Sequence, residues 1–333
     1  MAATLQYIAQ KVGVSHMTVS RVLNNSTDCR VSPETRERVL KAAHEAGYRP
    51  NVFARHLLGK RNMTLGLILG GTHNPFYMSV AREVEQAAAG AGYRIFTILQ
   101  PWVSPNLADA DMLPVDGLLV WSPVPQNLPS MLRAGKVKTP VVYLGYQVDD
   151  GSEYVRFDLA GGLRLAVRHL VARGYKRIAY AIPDSDRVRE FPDVRWIAYF
   201  DLCREIGMTP EPLDFDGNGN RHTAGFQLGQ RLAATDRSSR PDAVIVTGDM
   251  AAMGLYHGAI RGGLSVPADL AIAGFDGIEE VQFLDKALTT VLCPVDQFGK
   301  AAVEVMVERL SAAENAPPRQ VEIATTLVEG DTT

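Results

Sequence analysis

The first side chains in this sequence whose types and spacing suggest a chemistry lie just after Gly13. Four of them, at the start of an apolar-periodic run, are suited to hydrogen bonding or adaptable packing: Ser15, His16, Met17 and Arg21. When a tight turn holds such a helix away from the domain body, its first side chains reach base edges in the major groove of DNA. Arginine is the commonest partner of a guanine edge. This segment therefore predicts a helix-turn-helix in which these four side chains contact bases.

Short polar side chains and the distribution of charge suggest contacts with the DNA backbone. Thr18 and Ser20 are suited to phosphate contacts, which position a protein without reading sequence. The chain has 34 basic residues (Lys and Arg) and 37 acidic residues (Asp and Glu). Residues 1–61 hold 10 basic and 4 acidic residues, which leaves 24 basic and 33 acidic residues for the rest of the chain. Positive charge is therefore concentrated at the amino end, as expected for a domain that binds a polyanion. A solvated basic face on a small helical domain is the alternative interpretation.

A second set of candidate binding residues follows predicted strands later in the chain. Asp276 comes directly after the apolar run 270–275, and its carboxylate can accept hydrogen bonds from ligand hydroxyls. Arg195 can donate a fork of hydrogen bonds to ligand oxygens. Phe76 and Tyr77 are candidates for the wall of such a site. The alternatives are a loop cap for Asp276 and core packing for the two aromatic residues.

Motifs for metal binding or catalysis are weak. The tract 216–220 alternates oxygen-bearing residues like the start of a calcium loop, but its sixth position is Arg221 and its twelfth is Gln227. Calcium loops require Gly and Glu there, so we interpret the tract as a surface turn. The three cysteines are widely spaced and favour neither a disulfide framework nor a zinc site. We expect no catalytic residue, no metal and no cofactor.

Composition favours a cytoplasmic protein with several folded units. A chain of 333 residues with 46% hydrophobic content can bury two or three cores. The first residues lack the pattern of a signal peptide. No run approaches the ~18 apolar residues that a membrane-spanning helix needs. We therefore expect a reducing, cytoplasmic environment and no membrane partner.

Three helices are expected to position the DNA-contacting residues. Thr4 precedes the first apolar-periodic run, and Gly13 separates it from the second. Ser32 and Pro33 are typical of the start of a third helix, as N-cap and first helical residue. Another short helix is expected over residues 51–58.

From residue 64 onward, short apolar runs alternate with helical segments, which is typical of parallel strands joined by crossover helices. Strands are expected at 65–69, 94–99, 117–121, 141–144, 178–182, 243–247 and 270–275, and helices at 78–91, 159–173, 194–206, 223–234, 250–261 and 296–312. One sheet usually has ~5–6 strands. The predicted fold is therefore an all-α helix-turn-helix headpiece followed by an α/β unit of two doubly wound parallel-sheet lobes.

Several short segments near the amino end belong to one pattern: Thr4-Leu5, Ile8-Ala9, Gly13-Val14-Ser15, Thr18 to Asn24, Val31-Ser32, Thr35-Arg36 and Gly47 to Asn51. Together they closely resemble the headpiece of LacI/GalR transcription regulators. This resemblance implies DNA contacts by Thr4 and Asn24 as well. The loop 25–30 is slightly longer than is usual in that family.

Residues 50–58 are similar to the hinge helix of that family. The resemblance implies a helix that folds on DNA and inserts Leu57 into the minor groove at the centre of a palindromic operator. Asn51, Ala54 and Arg55 are expected to contact DNA beside it. An apolar wedge of this kind partly unstacks a base step and kinks the duplex, at a cost of about a few kcal/mol. Packing of the leucines against each other is the alternative.

The similarity continues to about residue 328 through motifs at 73–77, 115–117, 174–175, 177–179, 274–276 and 288–290. It implies a periplasmic-binding-protein-like sensor, with crossovers between two lobes near 155–158, 288–293 and 319–325. An effector would bind between the lobes, at the carboxyl ends of the strands. The resemblance implies effector contacts by eight residues: Asn74, Phe76, Gly145, Arg195, Asn220, Gly248, Asp249 and Asp276.

Four positions depart from the family's pattern. Gly248 stands where Asn is frequent, and Gly145 where an aspartate is common. Asn220 replaces an aromatic residue, and Cys293 replaces a glutamine. Because three of these changes remove side-chain volume, we expect a pocket for a bulkier ligand and do not assign a particular sugar.

These expectations define three parts of the chain: a headpiece over 1–50, a hinge helix and linker over 51–61, and a sensor over 62–333. The N-lobe is expected at about 62–157 and 292–319, and the C-lobe at about 158–290 and 320–330. Tetramers of this family depend on a C-terminal heptad tail, which is not visible here, so a homodimer is favoured.

The sequence therefore predicts a regulator, most simply a repressor, that binds a palindromic double-stranded DNA operator as a homodimer. A small polar effector, such as a sugar or a sugar derivative, would control its affinity. The alternatives are a solute-binding protein and an enzyme built on the same lobes. Neither explains a basic headpiece.

Overall fold

The computed structural model describes residues 4–23, 31–48, 61–70, 74–100, 113–121, 139–145, 152–183, 193–216, 220–313 and 316–333. The chain divides into two compact units, residues 1–62 and 63–333.

The first unit contains three helices: α1 (Leu5–Val12), α2 (His16–Leu23) and α3 (Pro33–Glu45). Their apolar faces meet at the fully buried side chains of Ile8, Val19 and Val39. Gly13 ends α1 with a φ of 75°, in the left-handed region that glycine adopts without steric cost. Its N–H donates to the carbonyl of Ala9, which leaves a tight turn before α2. The helix-turn-helix prediction is confirmed.

The second unit contains two sheets. The first is formed by β1 (Thr64–Gly70), β2 (Arg94–Gln100), β3 (Gly117–Trp121), β4 (Val141–Leu144), β5 (Tyr154–Phe157) and β11 (Gln320–Ile323). Its strand order is β11-β5-β4-β3-β1-β2, and every neighbouring pair is parallel. The central strands carry continuous apolar runs because both faces of a parallel sheet are covered.

The second sheet is formed by β6 (Ile178–Pro183), β7 (Glu211–Phe215), β8 (Ala243–Val246), β9 (Ala271–Asp276), β10 (Thr289–Leu292) and β12 (Thr326–Val328). Its order is β12-β10-β9-β8-β6-β7. Only β12 runs antiparallel to its neighbour within this sheet. We call the part of the chain around the first sheet the N-lobe and the part around the second sheet the C-lobe.

Helices cover the two sheets. They are α4 (Pro75–Gly90), α5 (Leu159–Ala172), α6 (Val194–Ile206), α7 (Arg221–Ala233), α8 (Asp249–Arg261) and α9 (Val295–Ser311). A short 3₁₀ helix spans Glu279–Phe283. Helix α9 packs closely against α4. A Cβ atom added at Gly299 of α9 would be only 2.7 Å from the backbone of Glu83 of α4. The N-lobe is therefore completed by a helix from late in the sequence.

The chain passes between the lobes after β5, after β10 and after β11. The third passage corrects a predicted boundary. We expected residues from 320 onward to belong to the C-lobe, but Gln320–Ile323 pairs with Tyr154–Phe157 in the N-lobe sheet. The chain enters the C-lobe only between Ile323 and Thr326, because the backbone donors and acceptors of β11 are used by β5.

The predicted fold class is confirmed, although several elements differ in detail. Helix α4 begins at Pro75 and not near Met78, because Asn74 caps it and proline suits the first helical position. Strand β7, with Glu211, Pro212 and Asp214 among its five residues, was missed. No helix in the described ranges is both long and apolar enough to cross a membrane.

Candidate DNA-binding face and effector cleft

The start of α2 exposes side chains that we expected to contact bases. His16, Met17 and Arg21 are exposed, whereas Val19 and Val22 on the other side of the helix are buried. Met17 is 55% exposed, so its side chain is accessible to an apolar group such as a thymine methyl. The helix thus has an apolar face held by the core of the first unit and an outward face that can enter a groove.

The hydroxyl of Ser15 has a structural role that sequence analysis did not assign to it. Its Oγ accepts a hydrogen bond from the backbone N–H of Thr18 at 3.1 Å and lies 2.9 Å from Oγ1 of the same residue. This is an N-cap for α2. The base contact that we expected of Ser15 stays a prediction beside this capping role. Thr4 caps α1 in the same way, with 3.2 Å from Oγ1 to the N–H of Tyr7.

Five predicted DNA contacts lie outside the described residues: Asn24, Asn51, Ala54, Arg55 and Leu57. Ser20 and Thr18 are half-buried on α2.

The carboxyl ends of the two sheets carry a second candidate site. Asn74 precedes α4 in the N-lobe, and Asp276 is the last residue of β9 in the C-lobe. Oδ1 of Asn74 accepts from the N–H of Phe76 at 3.0 Å and caps α4. Its Nδ2 lies 3.5 Å from Oδ2 of Asp276. The two predicted effector residues therefore meet between the lobes, as open α/β folds would place a ligand site.

Asp276 has a strained backbone and a perturbed carboxyl group. Its φ is 112°, which is rare for a residue other than glycine. Burial raises the pKa of Asp276 to about 7, although the guanidinium of Arg195 and the hydrogen bond from Asn74 act to lower it. Strain and a raised carboxyl pKa are both typical of functional positions.

Arg195 lies beside Asp276 but donates mainly within the protein. Its Nε and Nη2 bind the carboxylate of Asp193, at 3.0 and 2.6 Å, and its Nη1 donates to the carbonyl of Thr247 at 2.7 Å. Burial opposes the charged guanidinium, but Asp193 outweighs it and the pKa of Arg195 is raised. The guanidinium also stacks over Phe275 at 4.8 Å. The guanidinium hydrogen bonds that we expected Arg195 to donate to a ligand are therefore donated to Asp193. Only the remaining N–H groups of Arg195 can reach a ligand.

Asp249 does not reach the cleft and is corrected from effector contact to an internal role. Its side chain is fully buried. Oδ2 accepts from the backbone N–H of Gly277 at 2.7 Å and of Ile278 at 3.0 Å, and Oδ1 accepts from the hydroxyl of Thr290 at 2.6 Å. With its acceptors directed at these donors, the carboxylate holds the turn after β9.

An aromatic cluster closes the N-lobe side of the site: Phe76, Tyr77, Trp121, Phe157 and Phe298. Trp121 contacts Phe76 and Tyr77 with ring centroids 5.7 and 5.5 Å apart. Phe76 is buried, so core packing describes most of its surface, whereas Tyr77 is half-buried. Nε1 of Trp121 is buried and has no hydrogen-bond partner among the described residues.

Gly145 does not enlarge the pocket as we expected. A Cβ atom there would be 2.5 Å from the indole of Trp121, and the φ of Gly145 is 81°. The volume that an aspartate would need is thus filled by tryptophan. We therefore correct the expectation of extra space at this position.

The other departures from the family pattern have different local roles. Asn220 is exposed, and its Oδ1 caps α7 by accepting from His222 and Thr223. Gly248 precedes α8, and a Cβ atom there would be 3.2 Å from Oδ2 of Asp276. Cys293 is buried, and its N–H donates to the carbonyl of Asp276 at 3.1 Å. Of these three residues, Gly248 is the one next to the carboxylate, and even a Cβ atom would fit there only tightly.

Sequence analysis missed Asp193 and Trp121. Asp193 lies two residues before Arg195 and caps α6. An Asp-x-Arg pair at the start of a predicted helix could therefore have identified Asp193 as the partner of Arg195. Trp121 ends a predicted strand at the ligand edge of the sheet, which also could have marked it. Among the described residues, no group of three or more His, Cys, Asp or Glu side chains is placed to hold a metal.

A helix-turn-helix headpiece followed by a two-lobed α/β sensor defines a class, the DNA-binding transcription regulators that carry a periplasmic-binding-protein-like domain. Residues 4–51 match the model of bacterial regulatory proteins of the lacI family, and residues 167–333 match the periplasmic binding protein-like domain. The HTH-type transcriptional repressor PurR of Erwinia tasmaniensis is 30% identical over 98% of this chain and 96% of its own length. The chain belongs to the lacI family and is a DNA-binding transcription regulator.

Two solved structures are similar along almost the whole chain. The lac repressor dimer bound to operator and the anti-inducer ONPF has a TM-score of 0.84 and 23% identity, and covers 100% of this chain and 99% of its own. The complex of the transcriptional regulator CelR with cellobiose has a TM-score of 0.69 and 26% identity, with 99% and 100% covered. The first shows the shared fold, and the second is a relative whose bound ligand is a sugar.

Proposed function

We propose that this protein represses transcription by binding a palindromic operator as a homodimer, and that a sugar or sugar derivative between the lobes controls that binding. The observation that carries the DNA-binding part is the outward face of α2. His16, Met17 and Arg21 are exposed there while Val19 and Val22 anchor the helix from behind. Exposure of reading side chains on a rigid helix is what major-groove recognition requires.

Selection of bound sequences from a random duplex library at physiological salt tests this part. We expect the full-length protein to enrich one palindrome with a deformable central step. Arg21→Ala should weaken binding to it by roughly 1–3 kcal/mol, the usual value of a bidentate base contact. Arg82→Ala, which removes an exposed arginine from the sensor, is the matched control. Equal losses in both variants, or enrichment of no sequence, would contradict specific recognition by α2.

The effector class is supported by the chemistry of the cleft. The carboxylate of Asp276, the amide of Asn74 and the remaining N–H groups of Arg195 can pair with hydroxyl groups. Tyr77, half-buried at the edge of the aromatic cluster, offers an apolar surface to a sugar ring. Few polar groups opposite an apolar wall are typical of small-molecule sites.

Thermal-shift titration with D-ribose, D-glucose and cellobiose tests the effector class. We expect at least one sugar to raise the melting temperature of the wild type and to change its operator affinity. Asp276→Asn should lose this response, whereas Asp242→Asn, at the opposite end of the C-lobe sheet, should keep it. An operator affinity that rises with sugar identifies a corepressor, and one that falls identifies an inducer. Binding of sugar and DNA without mutual influence would contradict control by this site.

The dimer is supported by the family and by exposed apolar surface. The related lac repressor was solved as a dimer on operator. In the C-lobe, the side chain of Phe283 is 78% exposed. This residue is a candidate contact for a second copy of the chain. Light scattering should give twice the mass of one chain, and a monomer on operator would refute the dimer. As a regulator of transcription, the protein should act in the cytoplasm and have no enzymatic activity.

A further inference from the structure

Asp249 lies near the cleft, and both of its carboxylate oxygens accept hydrogen bonds from within the protein, although it contacts no part of the open site. Two successive backbone N–H groups, those of Gly277 and Ile278, donate to its Oδ2, and Thr290 donates to its Oδ1. Its side chain is fully buried. Burial raises its pKa, and the adjacent Asp276 raises it further. A buried group of this kind is retained at a cost, which suggests a task.

The turn that Asp249 holds is strained. Asp276 has a φ of 112°, and Gly277 follows with a φ of 75°. Glycine adopts this region freely, but an aspartate does not, and such a conformation persists only where its surroundings enforce it. The hydrogen bonds from Gly277 and Ile278 to Asp249 enforce it directly after the strained residue.

The two aspartates also lie close together. The backbone N–H of Asp249, the first residue of α8, lies near the carboxylate of Asp276 and acts to lower its pKa. Gly248, at the N-cap position of α8, has no side chain to supply that cap. The carboxylate of Asp276 therefore faces the start of α8, next to the residue whose side chain holds the turn after β9.

We propose that Asp249 is a positioning residue for effector binding: without touching the effector, it fixes the turn that presents Asp276 to the cleft. This inference rests on the proposed function, in which Asp276 binds the hydroxyls of a sugar. Thr290 orients Asp249 from the neighbouring strand β10. Sequence variation at either residue would then change effector affinity from within the protein core.

Two variants of Asp249 separate positioning from contact. Asp249→Asn keeps an oxygen that can accept from both N–H groups, and its amide can donate to Thr290. Asp249→Ala removes all three hydrogen bonds. Asp242 is the matched control, because its Oδ2 also accepts from two successive N–H groups, Lys176 at 3.1 Å and Arg177 at 3.0 Å, at the far end of the same sheet. Thr290→Val removes one bond only and keeps the test decisive if Asp249→Ala does not fold.

Hydrogen exchange of the full-length protein gives the first readout. In Asp249→Ala we expect the amides of Gly277 and Ile278 to exchange at least about tenfold faster, as for loss of a hydrogen bond. Thr290→Val should give a smaller increase, and Asp249→Asn and Asp242→Ala should leave these amides close to the wild type. Unchanged exchange in both Asp249→Ala and Thr290→Val would overturn the proposal.

The pH dependence of stability gives the second readout, and it needs no sugar. Among the described residues, the charged or titratable groups beside Asp276 are Arg195, Asp193, Asp249 and Cys293. We would measure the stability difference between each protein and its Asp276→Asn counterpart across pH. In Asp249→Ala the midpoint should move from near 7 toward the ordinary aspartate range, and further than in Asp249→Asn, which also removes the charge of Asp249 but keeps the turn. Equal midpoints in the two variants would show that Asp249 does not position this carboxylate.

Thermal-shift titration with D-ribose, D-glucose and cellobiose gives the third readout. For any sugar that binds the wild type, Asp249→Ala should weaken binding about tenfold or more and Asp249→Asn by less than about threefold. If Asp249→Asn binds as weakly as Asp249→Ala while its turn stays protected, Asp249 contacts the sugar directly and the proposal is wrong. If the wild type binds no sugar, the proposed effector class fails, and the first two readouts still decide whether Asp249 positions Asp276.

Discussion

Nδ2 of Asn74 lies 3.5 Å from Oδ2 of Asp276, and this contact joins the two lobes at the carboxyl ends of their sheets. Asn74 caps α4 of the N-lobe, while Asp276 ends β9 of the C-lobe. A change in the angle between the lobes must therefore change the distance between these two side chains. A ligand that bridges them would stabilise one lobe angle over another, which is the differential binding that allosteric control requires.

Substitution of Asn74 should separate helix capping from contact between the lobes. Asn74→Ala should lower the free energy of unfolding by about 1 kcal/mol, because α4 loses its cap. Asn74→Ser should restore stability, since serine caps equally well, but its side chain is too short to reach Asp276. Both variants should show an altered operator response to sugar, measured by operator binding with and without it. A wild-type response in the serine variant would exclude the contact from the mechanism.

Replacement of His16 or Met17 by alanine should change which operator is preferred. Both side chains are exposed at the start of α2, where base edges are read. Neither substitution removes a lysine or arginine that would neutralise a phosphate. The dependence of DNA affinity on salt should therefore stay near that of the wild type. Binding to a set of single-base operator variants at several salt concentrations measures both effects. A uniform loss across all sequences would mean that these residues do not read bases.

Gly145→Ala should destabilise the N-lobe more than the same change at Gly174. Both glycines have positive φ, 81° and 95°, so both substitutions introduce backbone strain. Only at Gly145 would the new Cβ also collide with Trp121, at 2.5 Å, whereas nothing lies within 4 Å at Gly174. Overpacking of this kind costs about 1–3 kcal/mol beyond the strain. Urea unfolding of the two variants gives the difference, and equal losses would show that Trp121 yields without cost.

The parts of the fold that depend on local sequence could be predicted. Thr4 and Ser32 cap helices at the positions where short polar residues precede apolar-periodic runs, because capping is a contact over three residues. Strand β7 could not be predicted in this way. Its alternation of Glu211, Pro212 and Asp214 is typical of a loop, and its extended state is set by pairing with β6 at the edge of the sheet.

The chemistry of the site could be predicted only as far as residue type. Asp276 was identified because it follows a strand, but the raised pKa and the strain come from groups distant in sequence. Asp249 binds Gly277 and Thr290, which are 28 and 41 residues away. Likewise, the space beside Gly145 is filled from another strand by Trp121. Such roles depend on tertiary packing, which no local pattern records.

The ionisation of Asp276 should make both stability and sugar binding depend on pH near neutrality. In the folded protein its pKa is about 7, against about 3.9 in an unfolded chain. Between these values the folded protein retains a proton that the unfolded chain has released. A rise in pH therefore favours unfolding, and the contribution of this group is fully present below about pH 4 and lost as pH rises through about 7.

The size of this effect follows from the difference between the two pKa values. At about 1.4 kcal/mol per pKa unit, the loss is at most about 4 kcal/mol, and less where solvent reaches the half-buried carboxyl group. Urea unfolding of the wild type and Asp276→Asn at several pH values isolates it, because other titrating groups contribute equally to both. The difference in the free energy of unfolding between the wild type and Asp276→Asn should narrow or reverse from pH 5 to 8. A difference that does not depend on pH would contradict the raised pKa. Since the ionised carboxylate is the better acceptor for hydroxyl groups, sugar affinity should fall as the pH drops below about 7 in the wild type only.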